Sequence, residues 1–229
     1  MRIPDPEYRK LRLSRIANPE RRHILLLLSW IIYFLFYFLT ENLIPPERCT
    51  PVHCLLDDLV PFCEWFVIPY VSWYFLVAGS LGYFLLRDKE SFRKLQTYII
   101  ITQIIATAVY IFFPNRQDLR PEVFPRDNFA ADILALLYTI DTNTGVCPSL
   151  HVAYSLGIAS TWLRYRSAPP AWRITVAVWC SIICLSVAFV KQHSVVDIFA
   201  ALPVCLIAEW FVFYRKQTKQ RNPPLQSDI

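Results

Sequence analysis

Six stretches of this 229-residue chain are apolar over lengths that constrain everything else it can fold into. They run from Ile24 to Ile44, Trp65 to Leu86, Leu95 to Phe113, Ser149 to Leu163, Ile174 to Val190 and Ser194 to Tyr214. A helix crosses the roughly 30 Å hydrocarbon core of a bilayer with about 20 mostly apolar residues. The pattern therefore predicts an all-α, polytopic membrane protein, a six-transmembrane-helix bundle whose fourth and fifth spans are the shortest. With 55% hydrophobic residues, a mean hydropathy of +0.35 and only 4 Gly, a disordered or loop-rich chain is excluded. Arg21 and Arg22 ahead of the first run imitate a signal peptide. The length of that run, its long charged approach and the lack of a small-residue cleavage site point instead to an uncleaved span.

An even number of spans puts both termini on one side, together with the loops between Arg87 and Lys94 and between Arg164 and Arg173. Those segments hold 18 of the 23 Lys and Arg residues. Positive charge collects on the cytoplasmic side of a membrane protein. Residues 1–22 are thus expected to form a cytoplasmic segment, 23–215 the membrane catalytic domain and 216–229 a cytoplasmic tail. The net charge of +5 is accounted for by anchoring to anionic lipid and gives no reason to expect nucleic-acid binding. Five cations fall on the other side, Arg48, Arg116, Arg120, Arg126 and Lys191.

Two outer segments have an organisation of their own. Residues 45–64 are broken by prolines and predict a surface or re-entrant piece, with Asp57 and Asp58 in a solvated acidic turn. Asp127-Asn128 are good helix starters, and Phe129, Ile133, Leu136, Leu137 and Ile140 follow on one stripe at helical spacing. They predict an amphipathic helix on the outer leaflet. Cys180, Cys184 and Cys205 read as small buried hydrophobes within spans. Cys49, Cys54 and Cys63 share the first outer loop, where an oxidising compartment permits a disulfide whose pairing the spacing does not choose.

Against the apolar background stand Cys147-Pro148-Ser149-Leu150-His151 and Lys191-Gln192-His193-Ser194-Val195-Val196-Asp197. Polar and ionisable groups at hydrophobic boundaries are costly and mark function. The topology brings both segments, and residues 114–121, to the same face. A phosphate there could be held by the forked donors of Arg120, by Lys191, Arg116 and Ser149, and by free amides at the starts of spans four and six. Pro148 suits a first helical turn. His193 and Asp197, four apart, share a helix face, so Asp197 can fix the His193 tautomer and leave its other nitrogen free to attack phosphorus. His151 is the candidate acid and base. A cysteine phosphatase would need an Arg six positions after Cys147, where this chain has Ala153. Too few His or Cys residues accompany His193 and Asp197 to make a metal site, so neither metal nor cofactor is expected.

These segments resemble the type 2 phosphatidic acid phosphatase superfamily, whose motifs read Lys-x6-Arg-Pro, Pro-Ser-Gly-His and Ser-Arg-x5-His-x3-Asp. Arg120-Pro121 stands for the first, Pro148-Ser149-Leu150-His151 for the second, and Ser186 with His193 and Asp197 for the third, over roughly residues 100–209. The resemblance implies that His193 is the nucleophile, Asp197 its orienter, His151 the general acid and base, and Arg120 and Ser149 phosphate ligands. Phe113 and Val187 stand where the motifs carry Lys and Arg, so Arg116 and Lys191 are expected to supply the missing charge. Leu150 in place of Gly, the Lys-Gln-His run, and Asp141 with Asn143 upstream are more similar to the branch containing inositol phosphorylceramide synthase. There the phosphoryl unit passes to another alcohol.

The sequence thus points to a membrane lipid phosphate phosphatase that hydrolyses a phosphomonoester or pyrophosphate through a phosphohistidine, its site outside the cytoplasm. A lipid phosphotransferase or phosphodiesterase using the same residues is the alternative. A proton-coupled transporter would place ionisable groups deep within spans. Here they cluster at one boundary, with Glu209 towards the other end.

Overall fold

A computed structural model describes residues 19–215, with side chains from His23 onward; the N-terminal and C-terminal cationic segments lie largely outside the described residues. Their regular secondary structure is helical apart from two two-residue strands. A 3₁₀ segment (Pro19–Leu27) leads into α1 (Leu28–Leu43), followed by α2 (Leu55–Leu59), α3 (Val67–Arg87), α4 (Lys89–Phe112), α5 (Phe129–Ile140), α6 (Leu150–Arg164), α7 (Pro170–Phe189) and α8 (Val195–Glu209), which continues as a π turn (Trp210–Tyr214).

Among the described residues, five helical segments are long and apolar enough to cross a membrane: His23–Leu43, Glu64–Arg87, Lys89–Phe112, Pro170–Phe189 and Val195–Tyr214. The fourth of the six expected spans, α6, is too short to join them, with 15 residues. Its place explains the weaker signal. Ten of those 15 residues are buried, and α6 packs on α7, α4, α8 and α3, so it needs no continuous apolar outer surface. Polar side chains are accommodated by local bonds: Thr161 donates to the Gly157 carbonyl at 2.8 Å and the Trp162 indole to Ser80 Oγ at 3.1 Å. A Cβ on Gly157 would lie 2.5 Å from the Tyr98 ring, so glycine sets how closely α4 and α6 approach.

Helix starts follow the capping chemistry of their residues. Asp88 accepts from the Glu90 amide and the Ser91 hydroxyl before α4, Pro170 opens α7, and Asn128 Oδ1 accepts from the Ala130 and Ala131 amides at the start of α5. α5 divides the predicted stripe, with Ile133 and Leu137 packed against the core. Its fully buried positions include Ala130 and Leu134, whereas Phe129, Leu136 and Ile140 of the predicted stripe are exposed. Ala130 and Leu134 enter the core with Ile133, Leu137 and Tyr138 packed beside them.

The loops within residues 44–66 and 113–149 are stitched together over one end of the bundle. A strand at Thr50–Pro51 pairs in parallel with one at Asn115–Arg116, and Arg116 bridges to Thr144. Asn115 Oδ1 accepts from the Val146 and Cys147 amides at 2.9 and 2.8 Å, while its Nδ2 donates to the Cys147 carbonyl at 3.0 Å. The Tyr110 hydroxyl holds the Pro148 carbonyl at 2.6 Å. The Cys63 amide donates to the Phe189 carbonyl, and Glu64 takes a two-pronged ion pair from Arg126 with both contacts at 2.6 Å. All seven cysteines are free.

Candidate functional site

The turn joining α7 to α8 carries the second polar cluster. Lys191 sits in the left-handed region (φ 53), and the amides of Gln192 and His193 both donate to the Val187 carbonyl at 3.1 Å. That closes α7 and sets His193 immediately before the first turn of α8. Asp197, fully buried, accepts from His193 Nδ1 at 3.1 Å and from the Ser194 amide at 3.0 Å, both on Oδ2. An ionised carboxylate only accepts. A neutral His193 therefore carries its proton on Nδ1 and leaves the Nε2 lone pair free, the form a nucleophile needs.

The two helix starts are locked to each other. The Ser149 amide donates to the Asp197 backbone carbonyl at 3.1 Å, which brings α6 and its second residue, His151, beside His193. The His151 ring lies against Tyr70 and Trp73, with centroid separations of 4.3 and 4.1 Å, and 5.8 Å from the His193 ring. Its Nε2 is buried with no protein partner. Both histidines line a cavity of about 670 Å³ whose remaining wall is mostly aromatic and aliphatic.

Sequence reasoning brought His193, Asp197, His151 and Ser149 to one place, and the structure has them together. It treats the cations differently. Arg120 donates from Nε to Gln192 Oε1 (2.8 Å), from one terminal nitrogen to the Tyr138 carbonyl (3.2 Å) and from the other to the Asp141 and Thr142 carbonyls (both 2.8 Å). Lys191 Nζ donates to the Asp57 and Val60 carbonyls at 2.8 and 2.6 Å. Arg116 turns to Asp118 and the Pro46 carbonyl. The expectation that all three present open cations to a phosphate is thus corrected: a buried cation must be compensated, and backbone carbonyls do it here. Each of the first two keeps one uncommitted N–H, since a guanidinium has five donors and an ammonium three.

The start of α8 is likewise spoken for. Asp57, predicted to be solvated, is buried: Oδ2 accepts from the Ser194 hydroxyl at 2.6 Å and the Cys54 amide at 2.8 Å, and Oδ1 from the Val195 amide at 2.7 Å. Burial works to raise its pKa, but these donors outweigh it and hold the carboxyl below the usual range. The Val196 amide goes to Ser194 Oγ. Free amides therefore remain at the start of α6, on Leu150 and His151, and not at α8. Asp58 stays exposed and meets His53 at 2.9 Å.

Three further residues belong to the site. Asp141 Oδ2 accepts from Gln192 Nε2 at 3.0 Å and the Tyr70 hydroxyl at 3.2 Å. Burial pushes its carboxyl above the ordinary range, with His193, Tyr70 and Arg120 pulling the other way. The only sequence signals for these residues were the neighbours of Gln192 and the position of Asp141 in the loop before Pro148. Burial, then the Asp197 charge, pushes the Cys147 thiol up to about 12, so it remains a thiol and not a nucleophile. Among the described residues no three His, Cys, Asp or Glu side chains converge as metal ligands.

No protein-family model matches this chain, and no curated protein or solved structure matches it.

Proposed function

We propose that this protein is an integral membrane enzyme that cleaves a phosphate ester or pyrophosphate of a membrane lipid. The observation that carries the reading is the His193–Asp197 pair facing His151 at the polar end of an apolar cavity. Nε2 of His193 attacks phosphorus as the ester P–O bond breaks, and protonated His151 gives its proton to the departing oxygen. Water then attacks the phosphohistidine, the P–N bond breaks, and His151 takes the water proton. The Leu150 and His151 amides at the helix start, with the remaining N–H of Arg120 and of Lys191, are the donors for the transferring charge.

In this reading α6 is a sixth, internal span, and both termini are cytoplasmic. The distribution of Lys and Arg supports that topology. The enzyme then meets lipid in the outer leaflet, and the exposed Phe129, Leu136 and Ile140 of α5 rest on it.

The test offers purified protein a panel of lipid monophosphates and pyrophosphates, scoring free phosphate against transfer to added alcohols. His193→Ala should cut turnover by roughly 10⁴-fold or more while the protein stays folded in detergent. Retention of more than a few per cent of activity would rule out the mechanism. For sidedness, in a cysteine-less background, Asn143→Cys should react with an impermeant reagent on intact cells and Ser167→Cys only after permeabilisation. The opposite pattern inverts the topology.

A further inference from the structure

The cavity continues far beyond what the chemistry needs. From His151 and Tyr70 at the polar end it follows one face of α3 through Val77, Leu81 and Gly82 to Leu85, and it ends against Leu27 and Phe92. Tyr70 and Leu85 lie fifteen positions apart on one helix, about 22 Å at 1.5 Å per residue. Half of a bilayer's hydrocarbon core is roughly 15 Å. In the proposed topology, with Tyr70 near the outer boundary, a trough of that length passes the depth at which the chains of one leaflet end.

Gly82 makes that depth possible. A glycine within a helix costs about 1 kcal/mol relative to alanine, and a Cβ placed on Gly82 meets nothing within 4 Å. No neighbouring side chain excludes a larger residue, so what its absence provides is the open lower trough. Gly79, one helical turn away, also has nothing within 4 Å, but it is exposed and does not line the cavity.

Resting on the phosphate-ester reading above, we infer that the substrate is the phosphate of a lipid alcohol with one long chain that crosses the bilayer midplane, and that Gly82 keeps room for its far end. A diacyl lipid would leave the lower trough unfilled, and an unfilled apolar space forfeits the contacts of its lining.

Two measurements test this. Single-chain alkyl phosphates, shorter than, equal to and longer than a leaflet, are compared with dioleoyl phosphatidic acid on the intact protein. Wild type should favour the longest. Gly82→Phe should lower kcat/KM for the longest by about tenfold through overfilling and spare the shortest, whereas Gly79→Phe should change neither. Separately, a non-hydrolysable alkyl phosphonate with a diazirine at the chain end should crosslink to the segment from Ala78 to Leu85. Equal loss for all lengths in Gly82→Phe, equal effects of the two glycine variants, or crosslinks confined above Val77 would overturn the inference. Crosslinking at Ala78–Leu85 without turnover of any ester would keep the chain site and reject the enzymatic reading. Turnover with no length preference would do the reverse.

Discussion

α1 and α6 combine apolarity and burial in opposite ways. The segment carrying α1 is among the most apolar in the molecule, with a mean hydropathy of 2.0, yet only 6% of that window is buried, and α1 itself contains no buried residue. Hydrogen bonds hold it at two levels: the Trp30 indole donates to Gln96 Oε1 at 3.2 Å and Gln96 Nε2 to Ser29 Oγ at 3.0 Å, while Glu41 accepts from Thr142 and Thr144 at the outer end. α6 is shorter and carries His, Ser and Thr, and two thirds of it is buried. Hydropathy measures the surface a helix shows to lipid. The interior of a membrane bundle is free to be more polar, because packing and local hydrogen bonds satisfy it. The buried helix carries His151, and the exposed one adds Trp30, Tyr33, Phe34 and Tyr37 to the wall of the trough beside the residues of α3.

The largest effect expected inside the bundle comes from Asp197→Asn. It preserves shape but allows the wrong His193 tautomer, and by analogy with orienting carboxylates elsewhere it should reduce kcat on the order of 10³- to 10⁴-fold. Steady-state kinetics with circular dichroism checks it; activity near wild type would mean that the His193–Asp197 contact is structural only. Next is Gly157→Ala on α6 against Gly79→Ala on α3. The first forces a Cβ to within 2.5 Å of Tyr98 and should cost about 1–3 kcal/mol; the second meets open space and should be neutral or stabilising by up to about 1 kcal/mol. Thermal unfolding in detergent reads both, and equal shifts would break the distinction between crowded and open helical positions.

The smallest effect concerns the outer latch on α8. The Asp57 carboxyl has a lowered pKa in the folded state, so the stability it contributes is present above its unfolded value of about 3.9 and is lost as pH falls through the lowered folded value. Asp57→Asn should cost about 1 kcal/mol at neutral pH and flatten the acid limb of a stability–pH curve. An unchanged acid limb would show that Asp57 is not the titrating group.

Much of the candidate site was legible in the sequence because its geometry is local. His193 and Asp197 meet within one helical turn, and Ser149 and His151 open one helix. The engagement of Arg120, Lys191 and Asp57 was not legible. Their partners stand tens of residues away: Gln192 for Arg120, the Asp57 and Val60 carbonyls for Lys191, Ser194 for Asp57. Charge alone suggests a ligand for each cation, whereas the fold decides whether the ligand is substrate or backbone. The α5 stripe shows the same limit: spacing puts Phe129, Ile133, Leu136, Leu137 and Ile140 along one side, and packing decides that Ile133 and Leu137 meet the bundle while the other three stay exposed.

By itself the sequence determined an all-helical chain rich in segments able to cross a bilayer, and the pairing of His193 with Asp197, because hydrophobic length and one-turn spacing are properties of consecutive residues. Only the tertiary structure decided that α6 sits at the centre, that Arg116, Arg120 and Lys191 are mostly spent on the protein itself, and that the cavity at His193 runs along α3. Those features depend on which distant surfaces meet once the helices pack.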